Sequence, residues 1–274
     1  GVTATTFNLT TAGAITDSVA STISGVTTIV AGSLNNVTLD HASNNFGTVA
    51  ITSGNNVTLV DANALTLNAS TISGTLGVTS GGTLTVSGTI SATSGAITFT
   101  SDGMALGANI SGTGALILQA GTSGTTMGLG GGSGTLNLDD TELGYLANGF
   151  SSITFGDTTN TGAIDLSAYS AWNDPLNFYT NGSTITVSGA QTVTALSNAN
   201  FTFYDPTTFN VVGTEIDTSN SNGAIVFNDA VTLSAATTLA AGSGAITFNS
   251  TVNGAQTLTL DSTGTTTIGG AMGG

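Results

Sequence analysis

The chain has 274 residues, with no Lys, Arg or Cys, one His and two Pro, and its 15 Asp and Glu residues give a formal charge of -15. Without basic side chains nothing neutralises phosphates, which excludes nucleic-acid binding, polybasic membrane contact and the lysine-dependent chemistry of P-loops and kinases. Without cysteine there is no disulfide framework, thiolate metal site or thiol nucleophile, no apolar run reaches the ~18 residues of a membrane span, and no signal-peptide pattern is visible.

Hydrophobic residues make up 39% of the chain and charged residues only 5%. That aliphatic content is enough to bury a core, which separates the sequence from disordered chains of low hydrophobicity. In chain order, strand rhythm is present from Val2-Thr3-Ala4-Thr5-Thr6-Phe7 onward. Val37-Thr38-Leu39, Val57-Thr58-Leu59, Leu84-Thr85-Val86, Ile185-Thr186-Val187 and Leu258-Thr259-Leu260 alternate apolar and polar residues. A period of two marks strands with one buried face, and Thr and Val suit that pleated surface. Gly, Asn, Ser and Asp punctuate these runs at turn positions.

Phrases recur at a fixed interval. Asn35-Asn36-Val37-Thr38-Leu39 returns 20 residues later from Asn55, and Gly223-Ala224-Ile225-Val226-Phe227 returns 21 residues later from Gly244. The same phrase stands at Gly95-Ala96-Ile97-Thr98-Phe99. A unit of about 20–21 residues holding two or three short strands predicts one coil of an all-β parallel β-solenoid, in which stacking buries what one coil cannot. About 13 such coils at ~4.8 Å spacing make a single rod of ~60 Å. An antiparallel β-sandwich competes with this reading and would need hairpins. Scarce proline suits interior strands that donate every N–H.

Regular coils are expected over 1–138 and 183–274, with an irregular, aromatic-bearing insertion over 139–182. Asp139-Asp140-Thr141-Glu142 has capping-box spacing, with Asp139 as N-cap and Glu142 reaching back. Leu143 and Leu146 follow, and Gly149 is read as the stop, which gives a helix of one or two turns near 139–149. The segment also carries Tyr145, Tyr169, Trp172 and Tyr179. These four rings are candidate stacking platforms for a carbohydrate; the competing reading places them in the core.

Leu136-Asn137-Leu138-Asp139-Asp140-Thr141-Glu142-Leu143, then Gly149-Phe150, Ile153-Thr154-Phe155-Gly156 and Gly162-Ala163-Ile164, resembles a recurrent module of giant secreted bacterial exoproteins. These are the filamentous-haemagglutinin-like, β-strand-repeat surface proteins. Val60-Asp61-Ala62-Asn63-Ala64-Leu65-Thr66-Leu67 and Thr265-Thr266-Thr267-Ile268-Gly269-Gly270 are similar to other phrases of that family. The resemblance covers most of the chain. It implies a right-handed parallel β-helix, export to the cell surface, a structural or adhesive role and no catalytic residues.

Candidate chemistry is sparse. His41 reads as a turn histidine beside Asp40 rather than a triad member, because serine is everywhere. Lyase-type β-helix chemistry lacks its basic residues, and paired carboxylates occur only at Asp139, Asp140 and Glu142 and near Glu215 and Asp217. No cofactor is required; Ca²⁺ is the metal that Asp139, Asp140 and Glu142 suggest. Thr-x-Thr triplets such as Thr83-Leu84-Thr85 and Thr184-Ile185-Thr186 resemble ice-binding faces, but their spacing is not coil-periodic. The expectation is a non-catalytic extracellular fibre segment. Its partners are further copies of itself or neighbouring repeats, with Val2, Phe7, Ile268 and Met272 at an end-to-end interface. The alternative is an adhesin module for cell-surface glycans.

Overall fold

The structure is a computed structural model that describes residues 1–194 and 199–273, with the backbone alone for Thr214 and Glu215. It is an all-β, right-handed parallel β-solenoid of about 13 turns, as the repeat period predicts. The strands pair in parallel and in register, which removes the sandwich reading. Contacts divide the chain into two compact units where the sequence suggests one domain: residues 1–122 with 141–151, and residues 123–140 with 152–274.

Each coil of the first unit uses up to three faces. One stacks Thr22–Val30, Asn45–Ser53, Leu65–Leu67, Leu84–Val86 and Met104–Leu106. A second stacks Ile15–Thr16, Val37–Leu39, Val57–Asp61, Leu76–Ser80, Ile97–Thr100 and Ala115–Gln119. The third is short: Ser70–Ile72, Ile90–Ala92 and Ile110–Gly112. The three-residue strands explain the apolar–polar–apolar phrases directly. Leu84 and Val86 are buried while Thr85 points out, and the same holds at Val37, Thr38 and Leu39. In-register pairing then aligns Val37, Val57, Leu76, Ile97 and Leu116 into one inward ladder. Burying each such side chain contributes about 1.5–3 kcal/mol.

In the second unit one face stacks Ser152–Gly156, Leu176–Tyr179, Phe201–Phe203, Ile225–Phe227, Ile246–Phe248 and Thr266–Ile268. Here the fifth residue of the recurring Gly-Ala-Ile-x-Phe phrase supplies Phe227 and Phe248 to an aromatic column. Phe155, Phe178, Phe203, Phe227 and Phe248 stack at centroid distances of 5.8, 5.1, 4.9 and 5.1 Å. Those distances match the inter-strand spacing, so pairing of backbones and stacking of rings reinforce each other. The glycine opening the phrase sits at a corner where coils touch. A Cβ at Gly244 would lie 2.3 Å from the carbonyl oxygen of Gly223, and one at Gly95 would lie 2.4 Å from Gly74.

The insertion is shorter than expected. The helix is a single turn, Asp140–Leu143, and strands Ser152–Gly156, Ile164–Leu166, Tyr169–Trp172 and Leu176–Tyr179 already belong to regular coils. Gly149 does not stop the helix; it lies six residues past its end with φ +127° in the turn before Phe150. Residues 141–151 have a structural task within the first unit. The third face ends at Ile110–Gly112, and the insertion takes the place of its next strand. The N–H of Ile110 donates to the carbonyl of Tyr145 and the N–H of Ala147 donates to that of Ile110, each at 2.9 Å. Leu143, Leu146 and Phe150 are buried beneath it. The edge is covered rather than left to pair with another chain.

Candidate functional site

The acidic side chains are the first chemistry to place. They meet peptide N–H groups. Asp102 Oδ1 accepts the N–H of Gly121 at 2.9 Å and of Thr122 at 2.8 Å, one coil later. Asp205 accepts from Thr180 at 2.6 Å and Gly182 at 2.7 Å. Asp61 accepts from Phe46 at 2.5 Å and Asn63 at 2.8 Å. Asp17 accepts from the backbone of Asp40 at 3.1 Å and from Asn44 Nδ2 at 2.7 Å. In a chain without Lys or Arg these charge-assisted bonds tie corner to corner. Burial pushes the Asp61 carboxyl above its ordinary range, against the pull of its two backbone hydrogen bonds. His41 is a turn residue: its Nδ1 accepts the N–H of Ser43 at 3.1 Å.

The suggested Ca²⁺ ligands are helix-turn residues. Asp139 immediately precedes the turn, at the N-cap position, and Glu142 occupies its third residue. Glu142 Oε1 accepts the N–H of Leu106 at 3.0 Å, which anchors the insertion to the first unit. Asp140 lies close enough to Tyr169 to act on its phenol electrostatically. Among the described residues no three His, Cys, Asp or Glu side chains gather into a metal-sized group. Asp217 Oδ1 accepts from the N–H and hydroxyl of Ser219; the side chain of Glu215 lies outside the described residues.

The four candidate stacking rings separate. Tyr145 lies in the first unit, half-buried, with both its N–H and its carbonyl engaged. Trp172 is 2% exposed and Tyr169 is 8% exposed, so neither offers a face to a sugar. Their rings meet edge to face at 4.6 Å, and Trp172 Nε1 donates to the buried Gln191 Oε1 at 2.9 Å. Trp172 also packs on Phe155 and Phe201. These two rings are core, for the reason that an inward strand position leaves a large ring nowhere else to go. Burial and, secondarily, Asp140 hold the Tyr169 phenol above its usual range.

Tyr179 is half-buried, as Tyr145 is, and it reaches the surface together with a further ring, Tyr204. Tyr179 and Tyr204 stack at 3.9 Å and 13°, on neighbouring coils, just beyond the phenylalanine column. Tyr204 is 37% exposed. A hollow of about 240 Å³ lies beside the pair, lined by Thr158, Tyr179, Asn181, Tyr204 and Asp205. The Phe-Tyr dipeptide at 178–179 returns at 203–204, and that repeat is the signal that marks the pair.

The end positions also differ in exposure. Ile268 and Met272 are exposed, and Val2 and Phe7 are half-buried around a hollow of about 220 Å³ shared with Leu9, Ile15, Ile29 and Leu39. Among the described residues no helix is long and apolar enough to cross a membrane.

Neither a curated protein nor a solved structure matches the chain. Residues 1–53 and 54–110 are each similar to a family described as repeats of unknown function, DUF5649, and both matches fall within the first unit.

Proposed function

We propose that the chain is a non-catalytic structural segment of an extracellular bacterial surface fibre. The observation that carries this reading is the parallel ladder that runs in register over most of its rungs. Coil after coil repeats the same inward apolar column, as at Val57 through Leu116 and Phe155 through Phe248, with Thr at most of the outward positions between, such as Thr58, Thr98, Thr154, Thr202 and Thr247. A repeated surface of Thr, Ser and Asn is suited to spacing and display, and acidic residues bonded to corner N–H groups are occupied structurally rather than held ready for proton transfer. The family resemblance points to the same location and role.

The reading extends to assembly. A strand face with a free edge and exposed apolar residues, such as Thr266–Ile268 with Ile268, accepts a further coil by the same pairing that joins its neighbours. We take that further coil to come from a second copy or from adjoining repeats. Electron microscopy and light scattering of the purified chain test this. The expected result is concentration-dependent filaments that the Ile268→Asp and Phe7→Asp substitutions shorten or abolish. A strictly monomeric protein at high concentration contradicts end-to-end assembly.

A further inference from the structure

We propose that the hollow beside Tyr179 and Tyr204 is a binding subsite for one ring of a neutral glycan. The proposal goes beyond the structural role and does not depend on it.

The position is built by the register of three successive coils. Gly156 pairs with Tyr179, and Tyr204 follows Phe203, which pairs with Phe178. The two tyrosines shield each other's inner faces. On the other side of Tyr179 the ladder partner is glycine, with φ +80° and a Cβ that would fall 2.0 Å from the carbonyl oxygen of Tyr179. No side chain stands at that rung, so the outer side of the tyrosine stack is left without a protein neighbour of its own rank. Stacked phenylalanines fill the equivalent rungs one residue further in.

The polar groups around this flat apolar surface are held in place. Asn181 and Gly182, with φ of +47° and +88°, form a tight turn closed by the Ser183 N–H on the carbonyl of Thr180 at 3.1 Å. Such an Asn-Gly turn needs no strain to adopt positive φ. Asp205 grips it through the N–H groups of Thr180 and Gly182, which fixes the carboxylate at the rim of the hollow. Asn181 and Thr158 are exposed beside it. The Tyr179 phenol is raised well above its usual range, first by burial and then by Tyr204 and Asp205, and it stays a hydrogen-bond donor at every physiological pH.

An aromatic surface flanked by a fixed carboxylate, an amide and hydroxyls is the chemistry of a pyranose ring: C–H groups lie over the ring and hydroxyls donate to the carboxylate. The charge selects the class. Asp205 faces the ligand, and the chain carries -15 with no Lys or Arg, so uronic or sialic acids are repelled and neutral hexose units are accepted.

Isothermal titration with cellohexaose, maltohexaose, laminarihexaose and mannohexaose, and with polygalacturonate as the anionic comparator, tests the assignment. At least one neutral oligosaccharide should bind. Tyr204→Ala should weaken that binding about tenfold or more, a loss of about 1.4 kcal/mol, and Tyr204→Phe should retain it. Thr158→Trp, which fills the hollow from an exposed position, provides an independent loss of binding should Tyr204→Ala fold poorly by circular dichroism. Absence of binding to all four neutral probes overturns the proposal. So does unchanged affinity in folded Tyr204→Ala or Thr158→Trp, or tighter binding of polygalacturonate than of every neutral probe.

Discussion

At the scale of single residues, the acidic side chains define the chemistry of this chain. Asp17, Asp102 and Asp205 each accept bonds from another coil, so a carboxylate does the work that an ion pair does elsewhere. A hydrogen bond to a charged group is worth about 1.5–3 kcal/mol, and an orphaned N–H adds its own penalty. Asp102→Ala is therefore expected to lower stability by about 2 kcal/mol, even though it relieves one unit of a net charge of -15. Urea unfolding of wild type and variant measures it; an unchanged or higher midpoint contradicts the assigned role. Thr27 is the opposite case. It is fully buried in a ladder beside Val49, and its Oγ1 has no hydrogen-bond partner. Thr27→Val keeps the shape and removes the unsatisfied hydroxyl, so the urea midpoint should rise by the equivalent of about 1–2 kcal/mol.

At the scale of elements, pairing and stacking act on the same residues. Phe227 lies between Phe203 and Phe248 at 4.9 and 5.1 Å, and meets Phe209 edge-on at 5.8 Å. Phe227→Ala should cost about 3–5 kcal/mol, through lost burial and the cavity left behind. Thermal unfolding checks this, and a loss under about 1 kcal/mol would mean that the column is not a core. Gly95→Val should fail more severely than its exposure suggests, because its Cβ meets the backbone of Gly74, which has no soft side chain to move aside. Much of this level is readable in the sequence. Leu84-Thr85-Val86 announces its inward and outward positions, and the Gly-Ala-Ile-x-Phe phrase places both the corner glycine and the stacked ring. The insertion is less readable. Capping spacing at Asp139–Glu142 marks a helix start, but nothing local shows that residues 145–147 substitute for a strand beside Ile110. The sequence leaves Tyr169 and Trp172 open between surface and core because aromaticity alone does not state which way a strand position faces; their burial puts them in the core. Tyr204 is missed because its meaning lies in its partner one coil away.

At the scale of the whole molecule, the charge balance sets the response to solution conditions. With a net charge of -15 and no Lys or Arg, self-repulsion opposes compaction and is screened by salt. The urea midpoint at neutral pH should rise with added NaCl, where a protein held by surface ion pairs would lose stability. Asp61 acts in the same direction with pH. Burial raises its pKa in the fold above the unfolded value of 3.8, so the fold disfavours its charged form. Its contribution is present at low pH and is lost as pH rises through the folded pKa. Acidifying at low salt from neutral pH toward the ordinary carboxylate range is thus expected to raise the midpoint, less so in Asp61→Asn. A rise that is no smaller in Asp61→Asn than in the wild type would contradict the role given to Asp61.

Residue-resolved hydrogen exchange tests most directly the claim that backbone pairing and carboxylate-bound corners hold the coils together. The N–H groups of Val57 and Leu76, which donate to the next coil at 2.8 and 2.9 Å, should exchange slowly. The corner N–H groups of Gly121, Thr122 and Gly182, bound by Asp102 and Asp205, should be protected beyond ordinary surface turns and should lose that protection in Asp102→Ala or Asp205→Ala. Strand N–H groups that are slow beside corner N–H groups exchanging at free-loop rates in the wild type would contradict the account.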